Sequence, residues 1–176
     1  MRFTDGRAGV SGVKRPGFLG AGLLTLVAVI ALAALAAPQV ASAKKKTHTV
    51  DATLTLAIIE SSPTVNDFAG RFTGKPFGTA GLVGEVALTS TPTGLITEGR
   101  PVIYAKKGTV NLETRNVVEF QPDGSITLNG TAKATGGTGK YKGATGTSTF
   151  NGTLPPGSGL TVGTVVTFDV DGKARY

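Results

Sequence analysis

Residues 134–153 read ATGGTGKYKGATGTSTFNGT. The fold turns on whether this is a phosphate-cradling loop inside a nucleotide fold or a turn between two strands. A Walker-type loop needs Gly, four residues, then Gly-Lys-Ser/Thr, because backbone N–H groups cradle the phosphates and the hydroxyl binds magnesium. With Gly139-Lys140 as the Gly-Lys pair, a glycine should stand at 134 and a hydroxyl at 141, where the chain has Ala134 and Tyr141. The dinucleotide pattern Gly-x-Gly-x-x-Gly fails as well: Gly137 and Gly139 fit, but Lys142 holds the last position. Both mechanisms need a helix N-terminus behind the loop, and no helical pattern flanks this one. The stretch reads as a turn, in which Gly136, Gly137 and Gly139 permit the positive φ of a tight turn or bulge.

Outward from this turn, apolar residues recur every second position, and no segment after Thr47 shows helical spacing. Val50, Ala52, Leu54, Leu56 and Ile58 alternate with Thr49, Asp51, Thr53 and Thr55. Val110, Leu112, Val118 and Phe120 share one parity, while Asn111, Glu113, Arg115 and Glu119 share the other. Ile126, Leu128, Ala132 and Ala134 repeat the pattern, as do Leu160, Val162, Val166, Phe168 and Val170. Each run is a half-buried strand. Turn signals at 61–63, 75–76, 91–94, 122–124 and 155–157 separate them. The spacing predicts about eight strands, near 48–59, 67–73, 79–90, 100–106, 109–121, 125–136, 143–154 and 161–175. Eight antiparallel strands can close into a barrel, which removes exposed edges, and a sandwich is the alternative. Asn129-Gly130 and Asn151-Gly152 are hairpin signals, but parity is unbroken across both, so continuous strands are expected.

Residues 1–43 have another character. Arg2, Arg7, Lys14 and Arg15 precede an uncharged run from Phe18 to Ala37, then Pro38 and the small residues of Val40–Ala43. This is the layout of a secretory signal peptide, its helix cleaved after Ala43. The alternative is an uncleaved membrane anchor formed by residues 18–37, since ~20 apolar residues can span a bilayer. Lys44–Thr47 is then a basic linker, and 48–176 a single barrel domain. The chain has no cysteine, which excludes disulfides, thiolate chemistry and cysteine metal sites. Its net charge is +7, but the leader carries four positive charges and one negative, leaving +4 from Lys44 onward. Lys44, Lys45 and Lys46 read as a solvated tail, and a nucleic-acid role is not expected without a basic face bearing aromatics.

The segment GGTGKYKGATG at 136–146 resembles the glycine-rich hairpin of the allene oxide cyclase and dirigent superfamily, in which Gly-Gly-Thr-Gly-x-Phe/Tyr precedes a Gly/Ala-x-Gly strand. The resemblance implies an eight-stranded antiparallel barrel, often a trimer and in some members secreted. Plant members act on reactive hydrophobic intermediates inside the barrel; the chain looks closest to bacterial relatives without an assigned activity.

The apolar parity is even in every predicted strand, so even residues should face inward. That places Arg100, Tyr104, Asn116, Phe150 and Phe168 as candidate ligand-binding residues, with Arg100 at the mouth and Tyr104 and Asn116 as interior polar handles. A satisfied core hydrogen bond is the plainer reading of those two. Glu85, Glu113, Arg115, Glu119 and Asp169 fall on the odd face, so the interior carboxylates of the resembling families cannot be carried over. General acid–base catalysis needs a positioned acid or base. No catalytic residue, cofactor or metal is expected, and His48 alone makes no metal site. Gly130, Ala132, Ala134, Ala144, Gly146, Ser148 and Gly152 are all even, so either phenylalanines fill the space above them or a pocket remains. Three functions follow: a secreted barrel with a binding or scaffold role, a carrier of a small hydrophobic ligand, or a cyclase-like or dirigent-like enzyme.

Overall fold

A computed structural model describes residues 44–176; the expected signal segment, 1–43, lies outside the described residues. Nine strands follow one another: β1 Thr47–Ser61, β2 Val65–Lys75, β3 Gly78–Thr91, β4 Gly94–Gly99, β5 Val102–Ala105, β6 Gly108–Phe120, β7 Ile126–Gly137, β8 Thr145–Leu154 and β9 Val165–Arg175. A single 3₁₀ turn, Gly139–Tyr141, joins β7 to β8.

All neighbours are antiparallel, and the sheet closes because β1 pairs with β2 on one side and β9 on the other. The sandwich alternative is thereby excluded. β4 and β5 occupy one position between β3 and β6. Their registers are continuous: Gly99 faces Val86 and Val102 faces Val83, as one uninterrupted strand would. The break is Arg100-Pro101, where proline has no N–H to give the ladder. The chain nonetheless passes straight through, since the Leu112 N–H donates to the Pro101 carbonyl at 3.0 Å. Gly84 stands opposite, where a Cβ would come within 2.7 Å of Pro101. The barrel therefore has eight staves. The one expected at 100–106 begins at Gly94, and the last begins at Val165, since Thr161–Thr164 forms a turn that leaves Val162 exposed.

The core is the even face of seven staves: Val50, Phe68, Phe72, Leu82, Val110, Val118, Leu128, Val166, Phe168 and Val170 are all buried. The eighth stave is inverted. In β4 and β5 the inward residues are Leu95, Thr97 and Ile103, with Pro101 between. The loops cause this. Thr91 pairs with Gly94 around a two-residue loop, and Ala105 with Gly108 around another. A two-residue loop brings residues of opposite number parity to one face. The first reverses the parity and the second restores it. Tyr104, expected inside, is 52% exposed on the outer wall, while Ile103 is 3% exposed in the core.

Asn129-Gly130 and Asn151-Gly152 lie within continuous strands, Asn129 directly opposite Asn151. The phenylalanines fill much of the space above the small residues. A Cβ at Gly130 would collide with the Phe150 ring, and one at Gly152 with the Phe168 ring. The two rings meet edge to face at 5.4 Å between centroids. Among the described residues, every strand pairing and every buried core residue lies within 47–176.

Ile103→Ala should cost ~2–5 kcal/mol, because it empties a packed site. Tyr104→Ala should change stability by ~0.5 kcal/mol or less, as exposed substitutions do. Urea melts of the two variants would check the inverted stave; the reverse order would contradict it.

Candidate functional site

One end of the barrel is closed by its own chain. The 3₁₀ turn carries Tyr141 inward, where it is 3% exposed. Gly139 makes this possible by adopting φ +56°, and Gly136 turns out of β7 with φ +147°. A Cβ at Gly137 would strike the Thr109 carbonyl oxygen. The glycine stretch is thus a structural turn. Around Tyr141 runs a chain of aromatic contacts: Phe72–Phe77, Phe77–Tyr141 and Tyr141–Tyr176, each edge to face, with ring centroids 5.4, 5.3 and 4.9 Å apart. His48 stacks on Tyr176 at 4.4 Å and is thereby placed in this cap. Offset and edge-to-face pairs of this kind are favourable beyond the area they bury.

Beyond the cap, the interior holds a cavity of about 150 Å³. Its wall is aliphatic and aromatic, Phe150 and Phe168 among its residues. Among the polar side chains that line it, three are buried: Asn66 at 5%, Thr97 at 9% and Asn116 at 7% exposure. Thr97 and Asn116 are direct partners on β4 and β6. Asn66 opens β2. All three therefore lie in the half of the barrel away from the aromatic cap. The Oδ1 atoms of Asn66 and Asn116 accept no hydrogen bond from the protein. Burying an amide without a partner costs free energy, so the fold tolerates a loss here for no structural return.

The candidate residues thus divide. Asn116, Phe150 and Phe168 come together in the interior. Arg100 and Tyr104 do not, because the inverted stave turns both outward. Arg100 instead borders an open depression of about 1200 Å³ on the outer wall, together with Glu85, Glu98, Glu113, Arg115 and Lys133. Arg115 Nε donates to Glu98 Oε1 there at 3.1 Å, an exposed ion pair of little energetic weight. Asn66 and Thr97 join the interior set without having been singled out in the sequence. Asn66 precedes the apolar run that marks β2. Thr97 belongs to a short glycine-bounded strand with apolar residues on both parities.

Every carboxylate of the described residues lies on the outer parity or in a loop; Asp67 alone is half-buried, and the others are exposed. Among the described residues no group of three metal-ligating side chains converges. The interior can hold an apolar molecule and offer amides and hydroxyls to it, but it presents no carboxylate to move a proton. No family model, curated protein or solved structure matches the chain.

Because Asn116 Oδ1 is buried and unpartnered, Asn116→Leu should leave stability unchanged or raise it by ~1 kcal/mol. A loss of ~2 kcal/mol or more in denaturant melts would mean that the amide serves the fold. The cap has its own signature. Burial pushes the Tyr141 hydroxyl above its ordinary pKa, and burial together with the Tyr141 charge does the same at Tyr176. Both are held neutral in the folded state, so their contribution is full below pH ~10 and lost as pH rises through the raised values. Stability measured against pH should fall above ~10, less steeply for Tyr141→Phe.

Proposed function

We propose that this chain is an extracytoplasmic β-barrel with a binding or scaffold role and no chemistry of its own. The observation that carries the reading is the orientation of the carboxylates, all of them away from an interior whose free space is about 150 Å³. Ligand pockets for drug-sized molecules run to ~300–1,000 Å³. The interior is too small for a long-chain lipid and presents no carboxylate of the kind the resembling families use. The hairpin resemblance at 136–146 supports the barrel architecture. The leader of residues 1–43, with its small residues before Lys44, supports export.

A second reading has its own support: the barrel carries a small, largely apolar molecule. An apolar cavity of ~150 Å³ suffices for a single benzene-sized ring. The buried, unpartnered amide oxygens of Asn66 and Asn116 in the cavity wall favour a ligand bearing one hydrogen-bond donor that these side chains turn to meet.

Two measurements test these readings on one preparation. The intact mass of exported protein should correspond to a chain beginning near Lys44; full-length protein in the membrane fraction would favour the anchor. Thermal melts with benzene, phenol and a long-chain fatty acid then separate the roles, since a ligand bound only by the native state raises its stability. A rise with phenol exceeding that with benzene, and lost in Asn116→Leu, would favour the carrier. A rise with the fatty acid would overturn the interior described here.

A further inference from the structure

The cations of the barrel are gathered at one end. Residues 44–176 contain fourteen lysines and arginines, and ten of them lie in the segments that make up the aromatic-capped end. Lys44, Lys45 and Lys46 precede β1, Lys75 ends β2, and Lys106 and Lys107 form the loop between β5 and β6. Lys140 and Lys142 belong to the 3₁₀ turn and its exit, and Lys173 and Arg175 to the last turn of β9. All ten are exposed. The segments 44–50, 72–80, 102–112, 134–147 and 172–176 contain no aspartate or glutamate. The ten acidic residues lie along the barrel wall and toward the opposite end, where Glu60, Glu119 and Asp123 stand.

This grouping is built by packing. The Lys140 N–H donates to the Lys107 carbonyl at 2.8 Å, which fixes two cationic loops side by side. Lys46 and Tyr176 exchange backbone hydrogen bonds at 3.0 and 3.2 Å, and the Lys45 ammonium donates to the Gly143 carbonyl, so the lysine run is tied to the same surface. Lys140 lies 5.3 Å from the centre of the Tyr176 ring. Among the described residues the one ion pair is Glu98–Arg115, so none of the ten is neutralised by a carboxylate in contact. Like charges at this density repel, and one carboxylate, Asp51, borders the group as the strand partner of Lys75 without an ion pair to it.

We propose that this end docks on an anionic phospholipid surface, with the barrel axis standing away from it. Charge complementarity is the first reason: clustered lysines next to a bilayer each contribute about 1 kcal/mol of attraction to acidic headgroups, roughly a fivefold factor apiece. The second is where the chain leaves the barrel. Lys44 lies at this end, and the apolar stretch Phe18–Ala37 stops seven residues before it. Tyr104 adds an amphipathic ring beside Lys106 and Lys107, the type of side chain that suits a headgroup boundary. The inference is independent of what the interior holds.

The test uses two variants of residues 44–176 with the same net charge. One replaces Lys75, Lys106, Lys107 and Lys142 by glutamine; the other replaces Arg71, Arg100, Arg115 and Lys133, the four cations of the wall. Both are first checked by circular dichroism melts. Co-sedimentation is measured with phosphatidylcholine vesicles, with and without phosphatidylglycerol. The parent should bind only the phosphatidylglycerol vesicles. The end variant should lose on the order of 100-fold in partitioning. The wall variant should stay within about threefold, and binding should vanish near 1 M salt, where screening reaches about 3 Å. Equal losses in the two variants would show that only net charge matters and would overturn the proposal. So would binding to a double-stranded oligonucleotide as tight as to the vesicles, which would make the surface a general polyanion site.

Discussion

The closing ladder between β1 and β9 is the constraint on which the rest depends. Eleven residues of β1, from Thr47 to Ala57, pair in unbroken register with β9. With that seam formed, every stave has a neighbour on both sides, and no strand edge is left to recruit another chain. Closure also makes an inside. Along seven staves the alternating side chains then have one face that can be apolar without reaching water, and Phe68, Phe72, Phe150 and Phe168 occupy it. Had the seam been open, the same alternation would describe a half-exposed sheet with a wet apolar face.

Within that enclosure, glycine decides how close the rings can sit. Gly130 and Gly152 leave the wall beneath Phe150 and Phe168 bare of side chain, so two large aromatics fit where two smaller residues would otherwise point. The two rings line the free space that remains in the interior. The amides of Asn66 and Asn116 lie in the cavity wall with buried, unused acceptor atoms. A core with leucine in their place should be at least as stable, because a buried acceptor without a partner costs free energy.

The two ends of the barrel differ for a related reason. At one end short loops and the glycine turn draw Phe77, Tyr141 and Tyr176 together into a plug. The lysines that solubilise those loops are consequently drawn together as well. At the other end the long connection between β8 and β9 passes over the mouth, with Leu160 packed on the core. A closed cationic end and a looser acidic end give the molecule a direction, which suits a protein that stands on a surface.

Much of this was legible in the sequence. Period-two alternation placed seven staves and their inward parity, because each contact face of a sheet repeats every second residue, but Phe120, expected inside, is 53% exposed at the end of β6. The failed phosphate patterns around Gly136, Gly137 and Gly139 identified a turn, and the even set correctly named Asn116, Phe150 and Phe168 as interior. The stave at 94–105 was not legible. Its residues Leu95, Ile96, Thr97 and Glu98 carry apolar side chains on both parities, and Arg100-Pro101 mimics a boundary. Its inversion comes from two loops of two residues each, whose geometry exists only once β3, β4, β5 and β6 are paired; Tyr104 and Arg100 were misplaced for that reason. Nor does linear order reveal that lysines at 46, 75, 107, 140 and 173 share a surface. The sequence by itself determined a β protein with an apolar face on alternate residues. Only closure of the barrel decided which residue of each pair looks inward on the eighth stave, which amides go without partners, and where the charges meet. Those are properties of contacts between segments far apart in the chain, and local periodicity carries no information about them.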